Sequence, residues 1–261
     1  MALDYPGLLE DLRQESGHLI AHLRELSPPQ WDLATPAPGW AIRDQVSHLA
    51  FFDDTARLAM QDADQFRTEA DRLMAGGMDF PDRIAAEYRG MPAPSLLDWF
   101  LGAREHLLSA FEDDDPRRRL PWFGPDMSVA SSATARLMET WAHGQDVYDA
   151  LGLPHPPSRG LRSIAHLGVA TFAFAHTLNG LEVPEQPVRV TLHSPDGEIW
   201  SWGPDEAADE VVGTAEDFVL TVTQRRHWTE TDLEANGRVA PRWLDIAQVF
   251  AGAPSRRAVP R

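Results

Sequence analysis

At 261 residues the chain exceeds the usual size of one domain, and a hydrophobic fraction of 43% with nine tryptophans excludes a largely disordered protein. A formal charge of −17 argues against nucleic acid as a partner, because phosphate binding needs a concentrated basic surface. No apolar run approaches the ~20 residues that cross a bilayer, and Asp4, Glu10 and Asp11 stand where a leader would carry basic residues, so a cytoplasmic monomer or homodimer is expected.

Leu8, Leu12, Leu19, Leu23 and Leu26 recur at helical spacing and predict an amphipathic helix from about Tyr5 to Leu26, ending before Ser27-Pro28-Pro29. A second helix is expected from about Ile42 to Met60, with Ile42, Val46 and Leu49 as its apolar strip and His48 on another arc beside Asp44, Phe51, Phe52 and Thr55. From about Gln65 to Phe111 the chain reads as helix interrupted at Gly76-Gly77 and Met91-Pro92-Ala93-Pro94. The last piece starts at Ser95 as N-cap. Glu112-Asp113-Asp114-Asp115 and Arg117-Arg118-Arg119 read as a solvated loop with internal charge pairing. A fourth long helix follows from about Ser128 to Leu151, and a four-helix bundle is the economical arrangement.

Leu153-Pro154-His155-Pro156-Pro157-Ser158 is the domain boundary, because consecutive prolines stop helices and stiffen a linker. This sets residues 1–154 as a helical domain and 159–261 as a small α+β domain. In the latter, a helix from Leu161 to Leu178 precedes strands Val188–His193 and Ile199–Trp202, joined by the turn Ser194-Pro195-Asp196-Gly197-Glu198. Ala215 to Arg226 and Pro241 to Phe250 read as helices, although Val219 to Val222 also suits a strand. Arg256, Arg257 and Arg261 read as a short tail.

The chain has no Cys and no Lys, so thiolate ligation, a cysteine nucleophile and Schiff-base catalysis by lysine are excluded. Protein ligands to a metal must then be His and carboxylate. Glu139-Thr140-Trp141-Ala142-His143 puts a Glu and a His one turn apart on one helix face, and His48 from another helix would complete a two-His, one-carboxylate set with open positions. The same spacing is also an ordinary surface pairing. On the helical wheel Glu139 and His143 share an arc with Ser132, Arg136 and Asp146, opposite Leu137, Trp141, Val147, Tyr148 and Leu151, so periodicity alone turns them to solvent. His18 and His22, a competing pair one turn apart, read as surface imidazoles.

The stretches Gly39-Trp40-Ala41-Ile42-Arg43-Asp44-Gln45-Val46-Ser47-His48-Leu49 and Arg136-Leu137-Met138-Glu139-Thr140-Trp141-Ala142-His143-Gly144-Gln145-Asp146-Val147, in this order and spacing, resemble the mycothiol-dependent maleylpyruvate isomerase family. That family belongs to the DinB-like metal-binding four-helix-bundle superfamily. The resemblance implies a DinB-like bundle whose divalent metal, zinc foremost, is held by His48, Glu139 and His143, with the polar arc of the last helix facing an internal cleft. Asp44 or Asp146 could orient a ligand imidazole, although Asp44 also suits a first-turn acid favoured by the helix dipole.

The second half resembles the family's C-terminal α+β domain of sterol-carrier-like type through Gly213-Thr214-Ala215-Glu216-Asp217-Phe218, Gln224-Arg225-Arg226-His227 and Ala240-Pro241-Arg242-Trp243-Leu244-Asp245-Ile246-Ala247-Gln248. It implies an arginine in the active site, for which Arg225 and Arg226 are the candidates, because a guanidinium fork suits a carboxylate. An arginine pairing with carbonyls at a helix end is the competing role. The implied activity is isomerisation or S-transfer on a small electrophilic substrate with a diffusible thiol such as mycothiol. A hydrolase activating water and a non-enzymatic protein binding metal or an apolar ligand stand as alternatives.

Overall fold

The computed structural model describes residues 4–252, so the arginine tail at Arg256, Arg257 and Arg261 lies outside the described residues. The chain divides into two compact units between Pro156 and Pro157. The first contains α1 (Tyr5–Glu25), α2 (Ile42–Gln61), α3 (Ala63–Ala75), α4 (Phe80–Tyr88), α5 (Ala93–Glu112) and α6 (Val129–Leu151). Helices α1 and α2 each pack on both α5 and α6, which puts α1 and α2 at opposite corners of a four-helix bundle. Leu19, Leu23, Val46, Leu49, Phe100 and Val147 fill its centre. Helices α3 and α4 lie against α2. With Phe52, Phe80 and Ile84 they build a second apolar cluster that also takes in Trp122 and Phe123. The latter two sit between the short strands β1 (Arg119–Leu120) and β2 (Met127–Ser128).

Local chemistry sets the helix ends. The Asp4 carboxylate accepts the Gly7 N–H at 3.0 Å to start α1, and Ser128 Oγ accepts the Ser131 N–H at 3.0 Å to start α6. Asp44 accepts the Ala41 N–H at 2.8 Å and an Arg89 Nε–H at 2.9 Å, the first-turn role rather than a bond to His48. Helix α5 begins at Ala93 with Pro92 as N-cap, three residues before the expected Ser95 cap, because Pro94 suits a first turn whose N–H groups have no helical partners. In the charged loop, Arg118 Nε bonds Asp114 at 2.7 Å and Arg117 Nε bonds Asp115 at 3.3 Å. Gly152, at φ 66°, ends α6 in the left-handed conformation. Three residues later His155 tucks back between the rings of Trp141 and Tyr148, each 4.7 Å away between centroids. Its Nε2 lies 2.8 Å from the buried Glu15 carboxylate of α1.

Helix α6 departs from its wheel. Ser132, Arg136 and Asp146 are as buried as Leu137, Trp141, Val147 and Tyr148. It is enclosed on both sides, so its polar arc faces the interior.

The second unit contains α7 (Leu161–Ala170), α8 (Phe172–Leu178), β3 (Val188–His193), β4 (Ile199–Trp202), β5 (Asp209–Thr214), α9 (Ala215–Val222), β6 (Glu234–Asn236) and α10 (Ala240–Leu244). Its sheet runs β4-β3-β5-β6, with β3 and β5 parallel and both edge pairs antiparallel. The hairpin β3–β4 has the expected strand bounds, while β5 and β6 have no counterpart among the expected strands. The expected helix over 161–178 divides at Thr171, whose hydroxyl donates to the carbonyls of Leu167 and Gly168. Residues 219–222 are helical, not strand. The helix expected to reach Arg226 stops at Val222, and the one expected over 241–250 is the short α10. Helix α7 packs on α9, where Gly168 leaves room that a Cβ would lose, 2.9 Å from Phe218.

Candidate metal centre

His48 on α2 and Glu139 and His143 on α6 meet inside the first unit. Glu139 Oε2 lies 3.1 Å from His48 Nε2 and 3.0 Å from His143 Nε2. The three ligand atoms fall within 4.8 Å of one another. Ligand bonds of 2.0–2.1 Å at tetrahedral angles separate neighbouring donors by about 3.3 Å, so the set has the dimensions of a metal site. The side chains are 11%, 21% and 12% exposed for His48, Glu139 and His143, which leaves solvent a way in.

A chain of hydrogen bonds fixes how His143 presents itself. The Thr35 hydroxyl donates to the Trp40 carbonyl at 2.9 Å. Its lone pairs therefore accept the Gln45 amide N–H at 2.8 Å. That turns Gln45 Oε1 to His143, whose Nδ1–H donates to it. With Nδ1 turned to Gln45, the nitrogen that His143 directs at the Glu139 carboxylate is Nε2, the one that would ligate an ion. His48 Nδ1 is buried without a hydrogen-bond partner among the described residues. Trp40 stacks over His143 with centroids 5.9 Å apart and planes at 17°, and its Nε1–H is held by Asp82 at 2.7 Å. Phe52 lies against His48 at 4.5 Å.

Burial is the main cause that pushes His48 down to about 4, helped by the neighbouring His143 and Arg136 and opposed by its bond to Glu139. For Glu139, burial is the largest single influence and favours the acid. The bonds and charges of His143 and His48 together outweigh it and hold the carboxyl well below its ordinary value. The site is therefore a carboxylate facing neutral His48, the protonation a divalent ion needs.

The other residues singled out from the sequence belong to other elements. His22 packs edge-on against Tyr148 at 5.1 Å and accompanies a half-buried His18, so neither is a plain surface imidazole. Arg225 and Arg226 follow α9 in the second unit. There Gln224, at φ 58°, closes the helix, and the N–H groups of Arg225 and Arg226 bond the Leu220 carbonyl at 2.8 and 3.2 Å. Their guanidinium groups donate to the carbonyls of Thr223 and Arg225 at 2.7 and 2.9 Å. Sequence reasoning passed over Gln45 and Thr35. Gln45 lies three residues before His48 on the same face, the signal that could have found it.

Residues 12–148 match the family described as Mycothiol maleylpyruvate isomerase N-terminal domain. The chain is 48% identical over 255 residues to uncharacterized proteins of Mycobacterium tuberculosis strains CDC 1551 / Oshkosh and H37Rv, covering 96% of this chain and 98% of each relative. The crystal structure of the mycothiol-dependent maleylpyruvate isomerase aligns with a TM-score of 0.60 at 14% identity, over 89% of this chain and 93% of that one. A mutant of the same isomerase aligns with a TM-score of 0.58 at 15% identity, over 84% and 88%. At such identity the likeness is one of fold. No described helix is long and apolar enough to cross a membrane.

Proposed function

Because the chain belongs to the mycothiol maleylpyruvate isomerase family, we propose that it is a metal-dependent enzyme that uses a low-molecular-weight thiol of the mycothiol kind to isomerise a small electrophilic substrate or to add the thiol to it by S-transfer. The observation that carries the reading is the convergence of His48, Glu139 and His143, with Nε2 of His143 turned toward the carboxylate while Nδ1 meets Gln45. A divalent ion of zinc type, bound there, would lower the pKa of a coordinated thiol or water. With no cysteine in the chain, the thiol must arrive as a diffusible molecule. Glu139 supplies the negative charge, while His48 and His143 supply neutral nitrogens. The Trp40 and Phe52 rings keep water from the imidazole faces. A substrate carboxylate is assigned to Arg225 or Arg226, whose fork suits two oxygens. The family resemblance supports that role, while at the end of α9 the same groups also donate to the Thr223 and Arg225 carbonyls.

The test is metal content of the protein purified without chelator, followed by calorimetric titration with mycothiol. About one equivalent of metal in the wild type, lost in His143→Ala, together with a thiol signal that requires the metal, is expected. Trace metal in the wild type, or full retention by His143→Ala, rejects the site. Metal without any thiol signal would favour activation of water instead.

A further inference from the structure

A buried charged cluster ties all four bundle helices together beside the ligand set. Asp53 on α2 accepts Arg104 Nε at 2.7 Å and Nη2 at 3.2 Å from α5, and Arg136 Nε at 2.9 Å from α6. Arg104 continues to Ser16 Oγ on α1 and, at 3.0 Å, to Thr140 Oγ1 on α6. Arg136 Nη2 reaches the Leu49 carbonyl of α2 at 3.4 Å. None of Asp53, Arg104 and Arg136 is more than 2% exposed. Two guanidinium groups thus share one carboxylate out of contact with water.

Stability does not account for such a cluster, since an apolar set of similar volume commonly serves a core as well or better. Its placement points to register. Leu49 follows His48, and Thr140 follows Glu139, so the cluster bonds α2 to α6 at positions adjoining the ligands. Glu139 and His143 come from one helix, and their spacing follows from helix geometry alone. His48 comes from the other, and its placement depends on how α2 lies along α6. A slip of one residue, about 1.5 Å, would take His48 Nε2 out of its 3.1 Å approach to Glu139.

We propose that Asp53, Arg104 and Arg136 are positioning residues that lock α2 in register with α6 so that His48 joins Glu139 and His143 on one ion. The proposal rests on the metal reading of those three side chains.

The test uses the full chain carrying Asp53→Leu, Arg104→Met and Arg136→Met together. In it the Ser16 and Thr140 hydroxyls keep the Leu12 and Arg136 carbonyls as acceptors at 2.6 Å each, so neither loses its proton acceptor. Stripped wild type and variant are melted without metal, titrated with zinc against a chromophoric chelator, and loaded with cobalt(II) for its visible spectrum. The expected result is a melting temperature at or above wild type, zinc affinity weaker by about tenfold or more, as when groups that orient metal ligands are removed, and a changed cobalt spectrum. Wild-type zinc affinity with an unchanged spectrum would overturn the proposal. If the triple variant does not fold, Arg136→Met decides, because it leaves Asp53 and Arg104 as a balanced pair: about tenfold weaker zinc binding supports the lock, and wild-type affinity overturns it. Zinc binding by neither wild type nor variant rejects the metal reading itself, and the lock with it.

Discussion

Gln45 selects the nitrogen that His143 offers to the cluster. Its amide is committed on one side to Thr35, which leaves its carbonyl for His143 Nδ1–H and frees Nε2 toward Glu139. Gln45→Leu keeps the volume and removes both bonds. Metal affinity should fall by about 10–100-fold while the metal-free protein loses only about 1 kcal/mol of stability. Chelator competition alongside urea unfolding separates the two, and an unchanged zinc affinity would show that the imidazole does not need this orientation. His48 adds a pH dependence to the metal-free protein. Its folded pKa of about 4 lies below its unfolded value near 6.5, so between these pH values the unfolded chain binds the additional proton. The penalty is absent above pH 6.5, grows as pH falls, and is complete below about 4. The depressed Glu139 adds in the same direction, its contribution present above its ordinary value and lost on further acidification. The melting temperature of the stripped protein should therefore decline from pH 7 to pH 4, and a flat profile would contradict the buried, neutral state of His48.

Among the elements, α6 shows where sequence patterning reads well and where it fails. Its limits, Ser128 cap and Leu151 end were legible because a cap, an apolar period and a following glycine are local signals. Its orientation was not. A wheel assumes one wet face, and on α6 only Ser131 is exposed: the Arg136 side is closed by Asp53 and Arg104, partners 83 and 32 residues away in the chain. Only family resemblance turned Glu139 and His143 inward, and the structure gives the physical reason. The same limit explains the cluster itself. Arg104 stands out as a lone cation among Phe100, Leu107 and Leu108, yet nothing in the sequence names Asp53 as its partner. Removing Asp53 alone, by Asp53→Ala, would leave two buried guanidinium groups without the carboxylate that pairs them, a loss of about 3–5 kcal/mol read by urea unfolding. In the second unit, β3 and β4 were legible as a hairpin, whereas β5 and β6 were not, because β5 pairs in parallel with β3 and has no turn to announce it.

For the whole molecule, the formal charge of −17 with every basic residue an arginine sets the field in which ligands arrive. Such a field attracts divalent cations and repels anions. The association rate of zinc with the stripped protein should fall several-fold between about 10 mM and 0.5 M salt. Stopped-flow measurement with a zinc indicator would read this, and a rate indifferent to salt would confine the electrostatics to the site. His155 bears on how the chain can be divided. It belongs to the proline-rich stretch that reads as a connector, yet its ring fills the gap between Trp141 and Tyr148 and its Nε2 meets Glu15. A bundle cut after Pro154 would keep a carboxylate in its interior and discard the imidazole that answers it, whereas two further residues retain both. The separable piece thus carries the first part of its own tether inside its core.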